Sequence, residues 1–362
     1  MMQVTEQQIV DALKTVVDPD KQKDIVSLGM VSGLQLKDGH VAFAIEVDPE
    51  RGAEMEPLRK TAEETVHALP GVLSASVVLT AERNAEEEGG AEGGEEAPML
   101  PDVGAIVAVA SGKGGVGKST VAVNLALALA AAGRTVGLLD ADIYGPSMAR
   151  MLGVEGEPTS SDGRSLNAVE KHGIKSMSMA YLVEEETPII WRGPMVMGAL
   201  EQFMRNVNWG ALDVLVVDMP PGTGDAQLTM AQSVPLAGAV IVSTPQDIAL
   251  ADARKGLNMF RKVDVPVLGL IENMSYFNCP HCGERTAIFD HGGARREAEV
   301  LMIDFLGEIP LDPVIRETSD SGNPIVVAEP DSEHTQVFRR IADAVWTKIT
   351  AEADTGPKIV VQ

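Results

Sequence analysis

Gly112-Lys113-Gly114-Gly115-Val116-Gly117-Lys118-Ser119-Thr120 satisfies the pattern G-x-x-x-x-G-K-[ST] at every fixed position. Ahead of it, Ala105 to Ala110 is a short apolar run of the kind that forms a buried parallel strand. Behind it, Val121 to Ala132 is apolar and alanine-rich and suits a helix. Strand, glycine loop and helix are the setting in which this pattern cradles phosphate. The glycines let backbone N–H groups curl around phosphate oxygens, and the helix N-terminus adds partial positive charge. Lys118 is placed to reach the β and γ phosphates, and the Ser119 hydroxyl to ligate Mg²⁺. Residues 112–120 therefore predict a nucleoside triphosphate site.

A second lysine, Lys113, follows the first glycine directly. From that position a side chain folds back poorly onto its own phosphates and is free to reach a nucleotide held by a facing subunit. The loop resembles the deviant Walker A group of P-loop ATPases, which dimerise face to face over two ATP molecules. The resemblance implies that Lys113 crosses the interface and neutralises charge on the partner's nucleotide.

The chain has 362 residues, enough for two domains with sizeable cores. No apolar run approaches the roughly 20 residues of a membrane span, and Met1-Met2-Gln3-Val4-Thr5-Glu6 has neither basic nor apolar signal regions. A cytoplasmic protein without a membrane partner is expected. A net charge of −24 argues against nucleic acid, whose phosphates need clustered Lys and Arg.

Three regions follow one another. Residues 1–80 show a helical pattern (Ile9, Leu13, Val16, Val17) ending at Asp18-Pro19, then strands Val31 to Leu36 and Val41 to Val47. Lys37-Asp38-Gly39-His40 between those strands is a hairpin signal. A helix from about Ala53 to Leu69 and a strand from Val72 to Leu79 complete a small α+β domain of order α-β-β-α-β. Residues 81–100, with Glu86-Glu87-Glu88-Gly89-Gly90 and Gly93-Gly94-Glu95-Glu96, read as an acidic flexible linker. Residues 101–352 alternate apolar strands with amphipathic helices, which predicts an α/β, doubly wound, mostly parallel P-loop NTPase sheet; 353–362 is a tail.

Two acidic strand ends belong with the loop. Arg134 to Leu139 reads as a strand ending in Asp140-Ala141-Asp142, and ligand groups in such sheets lie beyond the carboxyl ends of strands. In the deviant Walker A group the residue orienting the attacking water corresponds to Asp142, with Asp140 supporting the Mg²⁺ shell or the loop. Asp213 to Asp218 has the Walker B pattern, which gives Asp218 a role in holding Mg²⁺. Met219-Pro220-Pro221-Gly222-Thr223-Gly224-Asp225 after it suits a γ-phosphate switch. Strands are also expected at Ala239 to Ser243 and Val265 to Ile271. The latter is followed by Glu272-Asn273-Met274, where Asn273 matches a residue that holds the adenine edge in this group.

The only cysteines are Cys279 and Cys282, in Asn278-Cys279-Pro280-His281-Cys282-Gly283. A closed tetrahedral site needs four ligands, and no second C-x-x-C exists. A redox dithiol, a zinc site completed by histidine and a site completed by a second subunit all compete. The redox reading wants a thioredoxin-like setting that is absent, and His281 is badly placed as a third ligand. Two copies of C-x-x-C across a two-fold axis give four thiolates, the usual complement of an iron–sulfur cluster.

Taken together these stretches resemble iron–sulfur cluster carriers of the Mrp/ApbC family. The likeness extends through Trp191-Arg192-Gly193-Pro194-Met195, Ser243-Thr244-Pro245-Gln246-Asp247, Asn273-Met274-Ser275, Cys279 to Gly283, and Gly307-Glu308-Ile309-Pro310-Leu311, which matches a loop near the adenine. Residues 1–80 resemble the small MIP18-like assembly domain, without the reactive cysteine that some copies carry. The resemblance implies a homodimer that holds a labile [4Fe-4S] cluster on paired Cys279 and Cys282 and receives it from an assembly scaffold. It delivers the cluster to apo-proteins, with ATP binding and slow hydrolysis coupled to loading or release. It assigns Gly112, Lys113, Gly114, Gly115, Val116, Gly117, Lys118, Ser119, Thr120, Asp218 and Asn273 to ATP, with Lys113, Lys118 and Asp142 catalytic and Ser119 and Asp218 on Mg²⁺. Two alternatives remain at this point. A partitioning or division-site ATPase leaves the cysteines unexplained and lacks a basic C-terminal helix. A zinc-bridged structural dimer is separated only by metal analysis.

Overall fold

Val41, Phe43, Ile45 and Val47 alternate along one strand and are all buried, so a single sheet face supplies half of the first core. Met55, Leu58, Ala62 and Val66 recur at helical spacing and cover that face, together with Ile9 and Leu13. The computed structural model describes residues 4–19, 21, 23–37, 40–47, 55–69, 72, 74–81, 99–160, 165–182 and 193–353. The hairpin tip at Asp38 and Gly39, residues 82–98 of the expected linker, Trp191 and Arg192, and the tail from 354 lie outside the described residues. The chain divides into two compact units, Met1–Glu96 and Ala97–Gln362.

The first unit runs α1 (Glu6–Leu13), β1 (Val31–Lys37), β2 (His40–Val47), α2 (Glu56–His67) and β3 (Ser74–Ala81). Strand β1 pairs antiparallel with β2, closing at Lys37 opposite His40, and β3 lies parallel to β2 after the α2 crossover. The α-β-β-α-β order is as expected, but α1 stops at Leu13 rather than near Asp18. Val16 accepts from the Ile25 N–H and the Asp18 N–H donates to Lys23, so the chain leaves the helix to pair with its own return. Val16 is buried by that turn, whereas Val17, expected on the same face, is exposed.

The second unit contains β4 (Val103–Ala110), α3 (Lys118–Ala131), β5 (Val136–Asp140), α4 (Met148–Leu152), β6 (Leu166–Asn167), β7 (Val169–Lys171) and β8 (Ile174–Met177). It continues with α5 (Gly193–Arg205), β9 (Val207–Asn208), β10 (Leu212–Asp218), α6 (Asp225–Ser233), β11 (Gly238–Ser243), α7 (Asp247–Lys262) and β12 (Val267–Glu272). The last elements are β13 (Phe277–Asn278), β14 (Arg285–Thr286), α8 (Gly293–Leu301), β15 (Phe305–Glu308), α9 (Pro313–Asp320), α10 (Ile325–Ala328) and α11 (Glu333–Ala353).

Eight strands form one sheet in the order β15-β12-β11-β4-β10-β5-β8-β7, parallel throughout except for β7. Strands β5 and β11 are buried along their whole length, as helices on both faces require. Helix α3 is apolar nearly all round and packs against α11 and α10 as well as the sheet. Its one interior polar residue, Asn124, is satisfied: Nδ2 donates to the Thr120 carbonyl at 2.9 Å, and Oδ1 accepts from the Val326 N–H at 3.3 Å. Strands β5 and β12 each end one residue later than expected, which brings Asp140 and Glu272 into the sheet as buried acids. Asp218 on β10 lies in register with Asp140 on β5 and Val109 on β4. The loops after these three strands therefore emerge side by side at the carboxyl edge.

Candidate functional site

Residues 111–117 connect β4 to α3, and Gly115 and Gly117 hold φ of +79° and +78°. Those left-handed values curl the loop back to the helix N-terminus at low cost only for glycine. Gly112 is required for a different reason. A Cβ there would sit 2.1 Å from the Asp252 carbonyl carbon and oxygen, because α7 lies directly against the start of the loop. Among the described residues the Lys113 side chain has no hydrogen-bond or ion-pair partner.

Lys118 is the first residue of α3, and its side chain is 6% exposed. Its ammonium donates to Asp218 Oδ1 at 2.6 Å, lies 3.3 Å from Ser119 Oγ and 4.0 Å from an Asp142 oxygen. The structure thus brings Lys118, Ser119, Asp142 and Asp218 together. Burial pushes the Asp218 carboxyl up from its ordinary value, opposed by the Lys118 charge and by hydrogen bonds from Lys118 and Ser119. Asp218 Oδ2 is fully buried and has no hydrogen-bond partner. Buried Ser147 Oγ and Gln227 Oε1, on the segments following β5 and β10, are also unpartnered. An orphaned carboxylate oxygen beside a helix-start hydroxyl fits a divalent cation with its water shell.

Asp140, expected to support either the Mg²⁺ shell or the loop, is bonded to the loop. Oδ1 accepts the Asp142 N–H at 3.1 Å, while Oδ2 accepts the Ser178 hydroxyl at 2.9 Å and the N–H groups of Ser147 and Met148 at the start of α4. Burial, and then the charge of Asp218, raise its carboxyl. Its four donors are all spent on shaping the loop that carries Asp142. Gly222 N–H donates to the Ser111 carbonyl at 3.1 Å, and Gln227 Nε2 donates to Pro220, so the expected switch is tied to the P-loop and to α6.

Asn273, expected at the adenine edge, is committed to the P-loop itself. Its Nδ2 donates to the Val116 carbonyl at 2.8 Å, and a Cβ on Gly117 would lie 2.2 Å from that nitrogen. The next residue, Met274, turns the chain out of β12 with φ +55°. Glu272 was not anticipated as functional, and its oxygens are spent on structure. They accept the Ser275 hydroxyl (2.6 Å) and the N–H groups of Gly292 (2.9 Å) and Ala294 (2.7 Å), a carboxylate at the N-terminus of α8. The only sequence signal was Gly292-Gly293 opening a helix without a side-chain cap.

Beyond Met274, β13 and β14 form a two-pair antiparallel hairpin with the cysteines at its tip. The Cys279 N–H donates to the Glu284 carbonyl and the Gly283 N–H to the Cys279 carbonyl, with Gly283 at φ +73°. Both cysteines are free thiols, Cys279 half-buried and Cys282 exposed. The backbone N–H groups of His281 and Cys282 point at the Cys279 sulfur and lower its thiol from the ordinary value. Such an N–H to sulfur arrangement stabilises thiolate and hence metal ligation.

Comparison with known proteins decides the family. The model for the NUBPL iron-transfer P-loop NTPase matches residues 102–346, and that for an iron–sulfur cluster assembly domain matches residues 6–77. This chain belongs to the Mrp/NUBPL family of iron–sulfur carrier P-loop NTPases. It is 45% identical over 361 residues to the iron–sulfur cluster carrier protein of Synechocystis, covering 97% of this chain and 99% of that one. The mouse iron–sulfur cluster transfer protein NUBPL is 54% identical over 251 residues, 69% of this chain and 79% of its own length. A solved nucleotide-binding protein of Archaeoglobus fulgidus in complex with ADP is 42% identical, with a TM-score of 0.58, covering 66% of this chain and 94% of that one. Among the described residues no helix is long and apolar enough to cross a membrane.

Proposed function

We propose that this chain is an ATP-dependent iron–sulfur cluster carrier. It acts as a homodimer, takes a [4Fe-4S] cluster as cargo on Cys279 and Cys282 of both copies, and passes it to apo-proteins. The observation that carries this reading is the cysteine hairpin. Its two accessible thiols, one with two backbone N–H groups aimed at its sulfur, are half a cluster's ligand set on the same unit as a complete P-loop. The names of the Synechocystis and mouse relatives support it.

In this reading residues 112–120 wrap the ATP phosphates, and Lys118 exchanges Asp218 for phosphate oxygen. Ser119 and Asp218 would hold Mg²⁺, which when bound supplies positive charge to the phosphates. Asp142, presented by the Asp140-braced loop, orients the attacking water, and the unpaired Lys113 reaches across to the second copy's nucleotide. Asn273 stands between base and loop, and hydrolysis is slow and coupled to loading or release.

Anaerobic reconstitution with iron and sulfide tests the proposal. The dimer should take up about four irons with a charge-transfer band in the visible. About one zinc per dimer without that band would indicate a zinc-bridged dimer instead. An intrachain disulfide with no metal would indicate a redox dithiol.

A further inference from the structure

The carboxylates of Glu272 and Glu308 and the ring of His291 bring one oxygen or nitrogen each within 4.8 Å of one another, next to the cysteine hairpin. A positive group already sits among them. Arg285, on β14 and three residues past Cys282, places one guanidinium nitrogen 3.0 Å from Glu308 Oε1 and 2.8 Å from His291 Nε2. His291 Nε2 is itself 2.8 Å from Glu308 Oε2. The same guanidinium lies over the Tyr276 ring, 3.5 Å from its centroid. Burial alone would raise the Glu308 carboxyl, but the hydrogen bonds from Arg285 and His291 prevail and hold it below its ordinary value.

The far side of this cluster leads to the nucleotide loop. Glu308 ends β15 in register with Glu272 at the end of β12. The two strand ends are laced together: the Ile309 N–H donates to the Glu272 carbonyl, the Ser275 N–H to Ile309, and the Leu311 N–H to Tyr276. Directly after Glu272 comes Asn273, bonded to Val116, and the Met274 methyl lies 3.7 Å from the Cβ position of Gly117. So the Val116-Gly117 turn cannot shift without meeting Asn273, and the hairpin is anchored by Arg285 to the segment that carries Asn273.

We infer that Arg285 is a positioning residue that couples the P-loop to the cysteine hairpin, transmitting nucleotide occupancy at Val116-Gly117 through Asn273 and the β12 and β15 ends to Cys279 and Cys282. The inference deepens the carrier reading and rests on it for its purpose, but its test does not need a cluster. Arg285 and Glu308 have side chains 47% and 26% exposed, so the pair contributes little to stability and its variants should fold.

The experiment measures the rate of alkylation of Cys279 and Cys282 in the metal-free full-length protein, with and without a non-hydrolysable ATP analogue and Mg²⁺. Bound nucleotide is determined in the same samples. In the parent, nucleotide should change the rate by about fivefold or more, the lower range of an allosteric coupling. Arg285→Ala should bind the analogue as the parent does and respond by less than about twofold. The double variant Arg285→Glu with Glu308→Arg should regain the response. A parent that does not respond, an Arg285→Ala variant that responds fully, or one that no longer binds nucleotide would each overturn the inference. Iron uptake by the parent is measured separately. A nucleotide response without iron uptake removes the carrier reading and leaves the coupling standing.

Discussion

The Lys118 ammonium and Asp218 Oδ1 are 2.6 Å apart, both deeply buried, at the point where the phosphates of a nucleotide and their metal would meet. Each group is what the other's ligand would provide: a cation for the carboxylate, an anion for the ammonium. The two charges neutralise each other, and a bound nucleotide would exchange one set of charge partners for another.

That pairing makes Lys118→Ala a double lesion. It removes a phosphate contact, and it leaves Asp218 buried and uncompensated, which costs about 3 kcal/mol or more. Nucleotide affinity and thermal stability should both fall. Adding Asp218→Asn to Lys118→Ala should recover much of the stability and none of the binding. Calorimetric titration and thermal unfolding on the same samples check this.

Lys113→Ala and Asp142→Ala should behave differently, because Lys113 has no charge partner among the described residues and Asp142 stands 4.0 Å from Lys118, whose close partner at 2.6 Å is Asp218. Nucleotide binding should stay within a few-fold of the parent, while hydrolysis slows by about 10²-fold, as for loss of one transition-state contact. Parent-like turnover by Asp142→Ala would remove it from the water-orienting role.

Gly112→Ala meets backbone, not side chain, at 2.1 Å from Asp252, so relief requires α7 to move. An overpacked contact of this kind costs about 1–3 kcal/mol. Thermal unfolding should show that loss even without nucleotide, whereas Gly114→Ala, with open space around it, should be much milder.

Changing Cys279 or Cys282 to Ser should abolish iron uptake and leave ATP binding unchanged, since the hairpin tip makes no contact with residues 112–120 among the bonds described. Iron analysis beside nucleotide titration tests both halves.

Asp213 gives a pH signature far from the acidic centre. Its carboxylate accepts the Thr135 N–H at 2.7 Å and hydroxyl at 2.8 Å, which lowers it from the ordinary value. With the folded-state value below the unfolded one, the contribution is complete above the unfolded carboxylate range and drains away as pH falls through the folded value. Asp213→Asn should therefore destabilise at neutral pH, and the gap to the parent should close in acid. Unfolding midpoints across the acid range check the trend.

What was legible in the sequence was what is local. The glycine loop, the Walker B strand and the C-x-x-C tip are each set by a few adjacent residues, and each appears where its pattern placed it. The α-β-β-α-β order followed from periodicity in the same way. Contacts across long separations were not legible. Asn273 reaches Val116 across 157 positions and Ser178 reaches Asp140 across 38, and no periodicity encodes either. For Asp140 the family pattern left two supporting roles open, the Mg²⁺ shell or the loop, and the donors gathered around it show that it braces the loop carrying Asp142. The end of α1 was misplaced because Val16 is buried by a turn, and burial alone does not distinguish a turn from a helix face.

The cysteine tip stands at the surface of the single chain, and from Pro280 to Thr286 every residue is exposed. Among the described residues nothing covers this tip, so in the proposed dimer the second copy would supply the shelter that keeps water and oxygen from a cargo held there. On that proposal the cargo's lifetime would depend on how long two copies stay together, and ultimately on how much protein is present. If the cluster bridges two copies as proposed, dilution alone should release it, with no hydrolysis and no acceptor.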